Sequence, residues 1–361
     1  MKYLLSKKNQ IRKIAASVVC LVTLGMLGCQ APSHTQATTS LNPLPVIFET
    51  DMGNDVDDAL ALDMLYKYID TGRINLLAIS NNKNSAYSIP FLQIMNNWYG
   101  YPAIPLGNVV NGANSQGDSR DYAQAVVEYT EAGKNVFKAY AGDSTNKMQS
   151  IDMYRKILSQ QADSSVVIIS VGFSTNIARL LDSKADNSSP LNGRDLVAKK
   201  VRLLSMMAGS FDGKIGGGEY NIIKDTGAAN KIFLDWPTPI VTSPFEVGIR
   251  ILYPASSIQN DFKWAAENPL TVAYSSYLKM PYNRPTWDLT ATLYAVEGND
   301  NNYFGMSQPG TISVVGKGQT SFREDPAGKH RYLMVDSAQA EKIKNRFISL
   351  ITRKPARYNK K

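Results

Sequence analysis

The chain has 361 residues, of which 43% are hydrophobic, 39 are lysine or arginine and 31 are aspartate or glutamate. A chain of this length and composition can bury a large core, which excludes an intrinsically disordered protein. Its two cysteines, Cys20 and Cys29, are too few for a disulfide-rich scaffold.

The first 28 residues have the composition of a secretory signal peptide. They contain five basic residues, no acidic residue, and an apolar run from residue 14 to residue 27. About 14 apolar residues are short for a membrane span, so we expect cleavage rather than a transmembrane helix. Without this leader the chain is nearly neutral, which gives no reason to expect a nucleic-acid partner.

The segment Met26-Leu27-Gly28-Cys29 resembles the lipobox of bacterial lipoproteins, in which the cysteine becomes the lipidated first residue. Residues 29–43, which are rich in Ser, Thr, Pro and Ala, predict a flexible tether before a domain at residues 44–361. Gln30 after the cysteine resembles the pattern for sorting to the outer membrane. We expect a periplasmic protein of the bacterial cell envelope, held to the outer membrane only by the lipid on Cys29.

Beyond residue 43, short apolar runs alternate with longer segments of helical period. This alternation predicts an α/β fold, with a mostly parallel twisted sheet flanked by helices in a single domain. The predicted strands cover residues 45–48, 74–79, 166–170, 201–206 and 240–241. The predicted helices cover residues 58–69, 89–99, 176–181, 228–234 and 338–351, and another begins near Pro285.

An acidic segment, residues 49–58, follows directly behind the first predicted strand and carries five carboxylates. Carboxylates crowded at one strand end repel one another, so a cation, a basic partner or solvent must balance them. Oxygen ligands favour Ca²⁺ or Mg²⁺ over zinc. Helix capping by Asp57 and Asp58 is the simpler alternative.

Three more polar or glycine-rich loops follow predicted strands, at residues 80–84, 171–176 and 207–211. In open parallel sheets, ligands bind in the crevice beyond the C-terminal strand ends. We therefore expect the four loops to share one rim, with the active site at that edge of the sheet.

Four ordered motifs, spanning roughly residues 44–300, resemble those of the nucleoside hydrolases, the inosine–uridine-preferring N-ribohydrolase superfamily. The acidic segment is similar to the signature D-x-D-x-G…D-D-A, and residues 166–177 are similar to a strand followed by G-x-x-T-N-I. Residues 207–221 resemble the G-G-S…E-F-N segment, and residues 285–291 resemble the late Asp motif.

The resemblance implies calcium-dependent hydrolysis of the N-glycosidic bond of ribonucleosides or related ribosyl compounds, giving free base and ribose. Asp51 would be the general base that takes the proton of a calcium-bound water. The ligands implied for Ca²⁺ are Asp51, Asp58, Asp288 and the backbone carbonyl of Val171. The residues implied to bind the substrate are Asp57, Asn84, Glu219, Asn221 and Trp287, with Asn81 and Lys83 as alternatives to Asn84.

The chain departs from the family pattern in two places. Two extra residues lie between Gly53 and the Asp-Asp pair, so Asp55 competes with Asp57 or Asp58 for a role. Where well-studied members have a histidine that helps to protonate the leaving base, this chain has Trp287. The remaining candidates for assisting the leaving base are His330, Tyr220, Tyr282, Phe211 and Trp287 itself.

Two other functions compete with the hydrolase. A phosphohydrolase of the haloacid-dehalogenase type would need an aspartate nucleophile where this chain has Glu49. A non-catalytic, calcium-dependent sugar- or nucleoside-binding surface lipoprotein would explain the missing histidine, but Asp51 favours the enzyme. The sequence leaves open the base or sugar specificity and the oligomeric state, a homo-oligomer included.

Overall fold

The computed structural model describes residues 42–113, 121–141 and 147–359. The predicted signal peptide and Cys29 lie outside these residues, as does all but the end of the predicted tether. Within the described ranges, no helix has the length and apolar character that a membrane crossing requires.

A mostly parallel sheet forms the centre of the domain. The strands are β1 (Leu44–Thr50), β2 (Ile74–Asn81), β3 (Leu106–Asn108), β4 (Thr130–Glu131), β5 (Lys134–Asn135), β6 (Lys147–Gln149), β7 (Val166–Ser170), β8 (Val201–Met207), β9 (Ile240–Ser243), β10 (Leu252–Tyr253), β11 (Arg284–Pro285), β12 (Gly305–Met306), β13 (Gly310–Val315), β14 (Gln319–Glu324) and β15 (His330–Met334). The main sheet has the order β14-β13-β15-β9-β8-β7-β1-β2-β3-β6, and β12 pairs with β15. Neighbours from β15 to β6 are parallel, whereas β12, β13 and β14 add antiparallel pairs at one edge.

Helices flank this sheet and connect its strands. They are α1 (Asp57–Asp70), α2 (Ser88–Tyr99), α3 (Tyr122–Val127), α4 (Ser150–Ser159), α5 (Thr175–Asp182), α6 (Gly193–Lys200), α7 (Tyr220–Lys224), α8 (Thr226–Asp235), α9 (Phe245–Gly248), α10 (Ala255–Asn260), α11 (Pro269–Tyr277), α12 (Trp287–Glu297) and α13 (Ser337–Ile351). The pairs β4–β5 and β10–β11 form two small separate sheets.

Both faces of the central strands are buried, which explains why their sequences are continuously apolar. In β1, Val46 and Phe48 pack in one core cluster, whereas Ile47 packs in the other. In β7, Ile169 and Ile168 are separated in the same way. Because β1 lies in the middle of the sheet, the acidic segment that follows it is positioned over the centre of one edge.

The predicted α/β fold is confirmed, and all five predicted strands are present. Strand β7 has the predicted bounds, and the other four extend further toward the C-terminal edge, for example β2 to Asn81. The helix expected near Pro285 begins at Trp287, because Pro285 pairs with Leu252 in the β10–β11 sheet. Strands β3 and β6 have three residues each, too short to produce a periodic signal in the sequence.

Candidate active site

The C-terminal ends of β1, β2 and β7 lie side by side, because these strands are parallel neighbours. The N–H of Val171 donates to the carbonyl oxygen of Glu49 (2.8 Å), and the N–H of Asn82 donates to that of Thr50 (2.9 Å). A Cβ atom at Gly172 would lie 2.5 Å from the backbone nitrogen of Asp51. Glycine at this position therefore lets the acidic segment approach the end of β7.

A cavity of about 240 Å³ opens at this edge of the sheet. Its described lining is acidic, with six carboxylates and one basic side chain, that of Arg284. The predicted metal- and substrate-binding residues that line it are Asp51, Asp57, Asp58, Val171, Glu219, Asn221, Trp287 and Asp288.

Three carboxylates in this cavity form a tight group, which we call the carboxylate cluster: Asp57, Asp58 and Asp288. Each offers an oxygen atom within 4.8 Å of the other two, and all three side chains are buried. Asp57 and Asp58 lie in the first turn of α1, and Asp288 lies in the first turn of α12. The positive ends of two helix dipoles therefore favour negative charge at the same place.

The electrostatics of the carboxylate cluster suit a bound cation. Burial raises the pKa of Asp58 well above its ordinary value, and the carboxylates of Asp51 and Asp57 raise it further. Burial and neighbouring carboxylates also raise the pKa values of Asp57 and Asp288. Buried carboxylates remain charged only beside a positive partner, and donors that are all oxygen atoms fit a hard cation such as Ca²⁺ or Mg²⁺.

Asp51 lies beside the carboxylate cluster and is itself buried. Burial raises the pKa of Asp51 to about 7, while the positive charge of Lys83 acts in the opposite direction. The side-chain amide of Asn54 donates to Asp51 Oδ2 at 3.1 Å. A carboxyl group with a pKa near neutrality has the proton affinity that a general base needs.

Glu219 and Asn221 enter the cavity at the N-terminus of α7. Glu219 is the N-cap, and its carboxylate accepts hydrogen bonds from the N–H groups of Asn221 and Ile222. Asn221 Nδ2 donates to the carbonyl oxygens of Val171 (3.2 Å) and Met207 (3.3 Å). The Val171 carbonyl, which was expected to face a cation, therefore accepts a hydrogen bond from Asn221 in this structure. Glu219 both caps α7 and lines the cavity.

The loop after β2 does not bring the expected asparagine into the described cavity lining. Asn84 is exposed and does not line the cavity. Asn82 is buried near Asp51, and its Oδ1 accepts a hydrogen bond from the N–H of Phe173 at 3.0 Å. Asn82 is likewise not among the described lining residues, and its hydrogen bond supports the loop after β7 instead.

Asp55, which competed with its neighbours for a role, forms an ion pair with Arg284 at the cavity. Its Oδ1 accepts from Arg284 Nε at 2.8 Å, and its Oδ2 contacts Arg284 Nη2. The carboxylate of Asp55 is therefore balanced by a guanidinium, whereas Asp57 and Asp58 belong to the carboxylate cluster.

The candidates for assisting a leaving base separate into two groups. Trp287 and Tyr220 line the cavity. His330 accepts a hydrogen bond from a backbone N–H of β13, and the Tyr282 hydroxyl donates to a backbone carbonyl of α11. Phe211 lines a different cavity. Only Trp287 and Tyr220 of these five therefore contact the space beside the carboxylate cluster in the described structure.

Glu49 does not line the cavity, although a haloacid-dehalogenase mechanism would require its carboxylate there. Its side chain is fully buried and accepts hydrogen bonds from the Tyr154 hydroxyl and from Asn176 Nδ2. This network lies behind the end of β1 and supports the backbone that carries Asp51.

Five cavity residues were not singled out from the sequence: Asn54, Met207, Phe245, Tyr277 and Arg284. The two aromatic residues belong to helices in which apolar side chains are ordinary core residues, so no sequence signal marks them. Arg284 lies just before the late Asp motif, and this proximity to Asp288 is the one signal that could have indicated it.

The parallel sheet and the acidic cavity at its strand ends define an α/β protein with a site suited to cation-dependent hydrolysis. The sequence profile described as inosine-uridine preferring nucleoside hydrolase matches residues 46–345, and the chain belongs to this family. It is therefore an N-glycosidic hydrolase.

Solved structures of nucleoside hydrolases resemble the domain. The plant nucleoside hydrolase PpNRh1 is 18% identical, with a TM-score of 0.63, over 88% of this chain and 100% of that one. The purine-preferring ribonucleoside hydrolase from Gardnerella vaginalis is 17% identical, with a TM-score of 0.62, and the match covers 85% of this chain and 98% of that one. The inosine-uridine preferring nucleoside hydrolase from Bacillus anthracis is 15% identical, with a TM-score of 0.62, and the match covers 86% of this chain and 98% of that one. At these identities the likeness shows the fold, and no curated protein matches the sequence.

Proposed function

We propose that the chain hydrolyses the N-glycosidic bond of ribonucleosides in a calcium-dependent reaction, with Asp51 as the general base. The observation that carries this proposal is the buried carboxylate cluster beside Asp51, in the cavity of a nucleoside hydrolase family member. Asp51, Asp58, Asp288 and the backbone carbonyl of Val171 would hold Ca²⁺, and Asp57, which belongs to the same carboxylate cluster, would bind the sugar. When bound, the cation makes a nearby water more acidic and provides coordination sites for vicinal sugar hydroxyls.

Asp51 supplies the proton acceptor. Its carboxylate takes a proton from the attacking water, and the hydrogen bond from Asn54 to Oδ2 fixes its orientation. As the bond to the base breaks, the sugar gains oxocarbenium character. The surrounding carboxylates stabilise that positive charge, because the site is buried and its effective dielectric constant is low.

Glu219 and Asn221 hold the ribose hydroxyls together with Asp57. All three side chains are buried and line the cavity, so a sugar that lacks one hydroxyl leaves a polar group without its partner. The site therefore selects ribose over 2′-deoxyribose.

We further propose that the domain is held to the outer membrane, on its periplasmic side, by the lipid on Cys29. The support is the lipobox-like segment at residues 26–29 and the tether up to residue 43. A tether of this composition lets the domain reach small ribosyl compounds that enter the periplasm.

A reducing-sugar assay over a panel of ribonucleosides, with and without calcium, tests the proposed reaction. We expect free base and ribose from at least one ribonucleoside, loss of activity with EGTA, and recovery with added calcium. If ribonucleosides raise the melting temperature but release no base under any condition, the chain is a binder and the hydrolase proposal fails.

A further inference from the structure

The side of the cavity next to the carboxylate cluster is formed by three aromatic residues, Phe245, Tyr277 and Trp287, which we call the aromatic wall. Trp287 stacks on Phe245, with ring centroids 5.4 Å apart and an interplanar angle of 28°. Its indole Nε1 donates to the carbonyl oxygen of Phe245 at 2.9 Å. A Cβ atom at Gly248 would lie 2.3 Å from the Trp287 ring, so glycine there admits the indole. These contacts fix the Trp287 and Phe245 rings relative to each other.

The guanidinium of Arg284 lies over this wall. Its central carbon is 4.9 Å from the centroid of the Tyr277 ring and 5.2 Å from that of the Trp287 ring, both within cation–π range. Asp55 binds Nε and Nη2 from another direction, and the side chain of Arg284 is 16% exposed.

The reaction needs a group of this kind at this place. When the C1′–N bond breaks, its electron pair stays on the nitrogen of the base, while the water oxygen bonds C1′ and its proton passes to Asp51. That proton returns to the base through solvent. A group at the base must either donate a proton or stabilise the negative charge. His330 lies outside the cavity, and Arg284 is the one basic side chain in the described lining.

Building on the proposed function, we propose that Arg284 binds the leaving base and stabilises its negative charge. Nε and Nη2 bind Asp55, and the described hydrogen bonds do not use Nη1, which is the donor for a carbonyl oxygen or ring nitrogen of the base. A guanidinium stays protonated throughout, so it stabilises the anion without transferring a proton.

The test compares two ribosides whose leaving groups differ in how much stabilisation of negative charge they require. Uridine needs its base stabilised, whereas 4-nitrophenyl β-D-ribofuranoside releases 4-nitrophenolate, which is a stable anion without help. We expect Arg284→Met to lower kcat/KM for uridine by about 10² or more and for the aryl riboside by less than about 10-fold. Arg284→Lys keeps the charge but loses the planar guanidinium. Its kcat/KM for uridine should lie between that of the wild type and that of Arg284→Met.

Arg323→Met is the matched control, because the Arg323 side chain is 76% exposed and lies away from the cavity. It should leave both rates unchanged. Equal losses on both substrates in Arg284→Met and Arg284→Lys would assign Arg284 a structural role and overturn the inference. A wild-type enzyme that cleaves other ribonucleosides but not uridine would overturn this inference alone, whereas one that cleaves no ribonucleoside of the panel would overturn the proposed function, and this inference with it.

Discussion

The backbone N–H of Asp288 donates a hydrogen bond to the Asp57 carboxylate at 3.0 Å, although 231 positions separate the two residues. This bond joins the first turn of α12 to the first turn of α1, and so it fixes the two halves of the carboxylate cluster relative to each other. The acidic site therefore forms only when the β1–α1 unit and α12 are both folded in place.

Calcium should stabilise the folded protein through the carboxylate cluster. We expect added calcium to raise the melting temperature of the wild type, and Asp58→Asn or Asp288→Asn to abolish most of that rise, because each removes a ligand charge. Asp300→Asn, an exposed substitution, should keep it. Differential scanning fluorimetry with EGTA, calcium or zinc measures the effect. Stabilisation by zinc alone would contradict a site made only of oxygen donors.

Replacing Asp51 should separate catalysis from stability. Asp51→Asn removes the proton acceptor, so we expect kcat to fall by about 10² or more. Without calcium, in EGTA, the melting temperature should not fall, because the substitution removes one of the buried carboxylates that repel Asp58. Steady-state kinetics and thermal melts measure the two quantities. A variant that turns over at the wild-type rate would exclude Asp51 as the base.

Removing the 2′-hydroxyl of the substrate should lower the catalytic efficiency. We expect kcat/KM for 2′-deoxyuridine to be about 10² or more below that for uridine, because Asp57, Glu219 and Asn221 are buried and would lose a partner. A reducing-sugar assay at matched concentrations measures the ratio. Equal rates for the two nucleosides would show that these side chains do not hold the hydroxyl.

The proposed anchor depends on one thiol. We expect the full chain, expressed in a bacterium with its leader, to fractionate with the outer membrane and to incorporate labelled palmitate. Cys29→Ser should abolish both properties and leave the enzyme activity unchanged, because the domain begins at residue 44, well after Cys29. Membrane fractionation of the Cys29→Ser variant identical to that of the wild type would exclude a lipid anchor at this residue.

An ion pair away from the cavity should make stability depend on pH. The Asp186 carboxylate accepts from Arg155 Nε at 2.8 Å, and these contacts lower the pKa of Asp186 from 3.8 to about 2. A pKa that is lower in the folded state stabilises the fold above the ordinary pKa, and this contribution is lost as pH falls through the folded value.

Asp186→Asn should therefore lower the free energy of unfolding by about 1 kcal/mol at pH 7, a modest figure because the Asp186 side chain is 37% exposed. The difference from wild type should shrink as pH falls from about 4 to about 2. Urea unfolding at several pH values measures it. Asp163→Asn, which breaks a more exposed pair with Lys200, should have a smaller effect. A difference that grows toward acid would contradict the assignment.

The centre of the fold was predictable because its signals are local. A continuously apolar run marks β1, the acidic residues behind it mark the strand end, and α1 begins within the Asp-Asp pair. The β13–β14 hairpin also had a local signal, since Gly316 and Gly318 flank Lys317 between two apolar or alternating runs. It was missed because the charged residues of β14 interrupt the apolar pattern.

The part of the site that could not be predicted depends on contacts between distant segments. Arg284 and Asp55 are 229 positions apart, so no local pattern links them. The choice among Asn81, Lys83 and Asn84 depends on where β2 ends, and strand ends are the least certain feature of a sequence-based assignment. The position of Phe245 in the cavity follows from the short helix α9, which no periodic pattern announces.

The Asp55–Arg284 pair ties the length of one loop to the chemistry of another. Asp55 lies in the stretch that is two residues longer than the family signature. Deleting two residues there would remove the counter-charge of Arg284 and leave its guanidinium beside Tyr277 and Trp287 without an anionic partner. An engineer who trims this loop to the family's usual length must also replace Arg284. The reverse also holds: grafting the arginine onto a short-looped relative would require lengthening that loop.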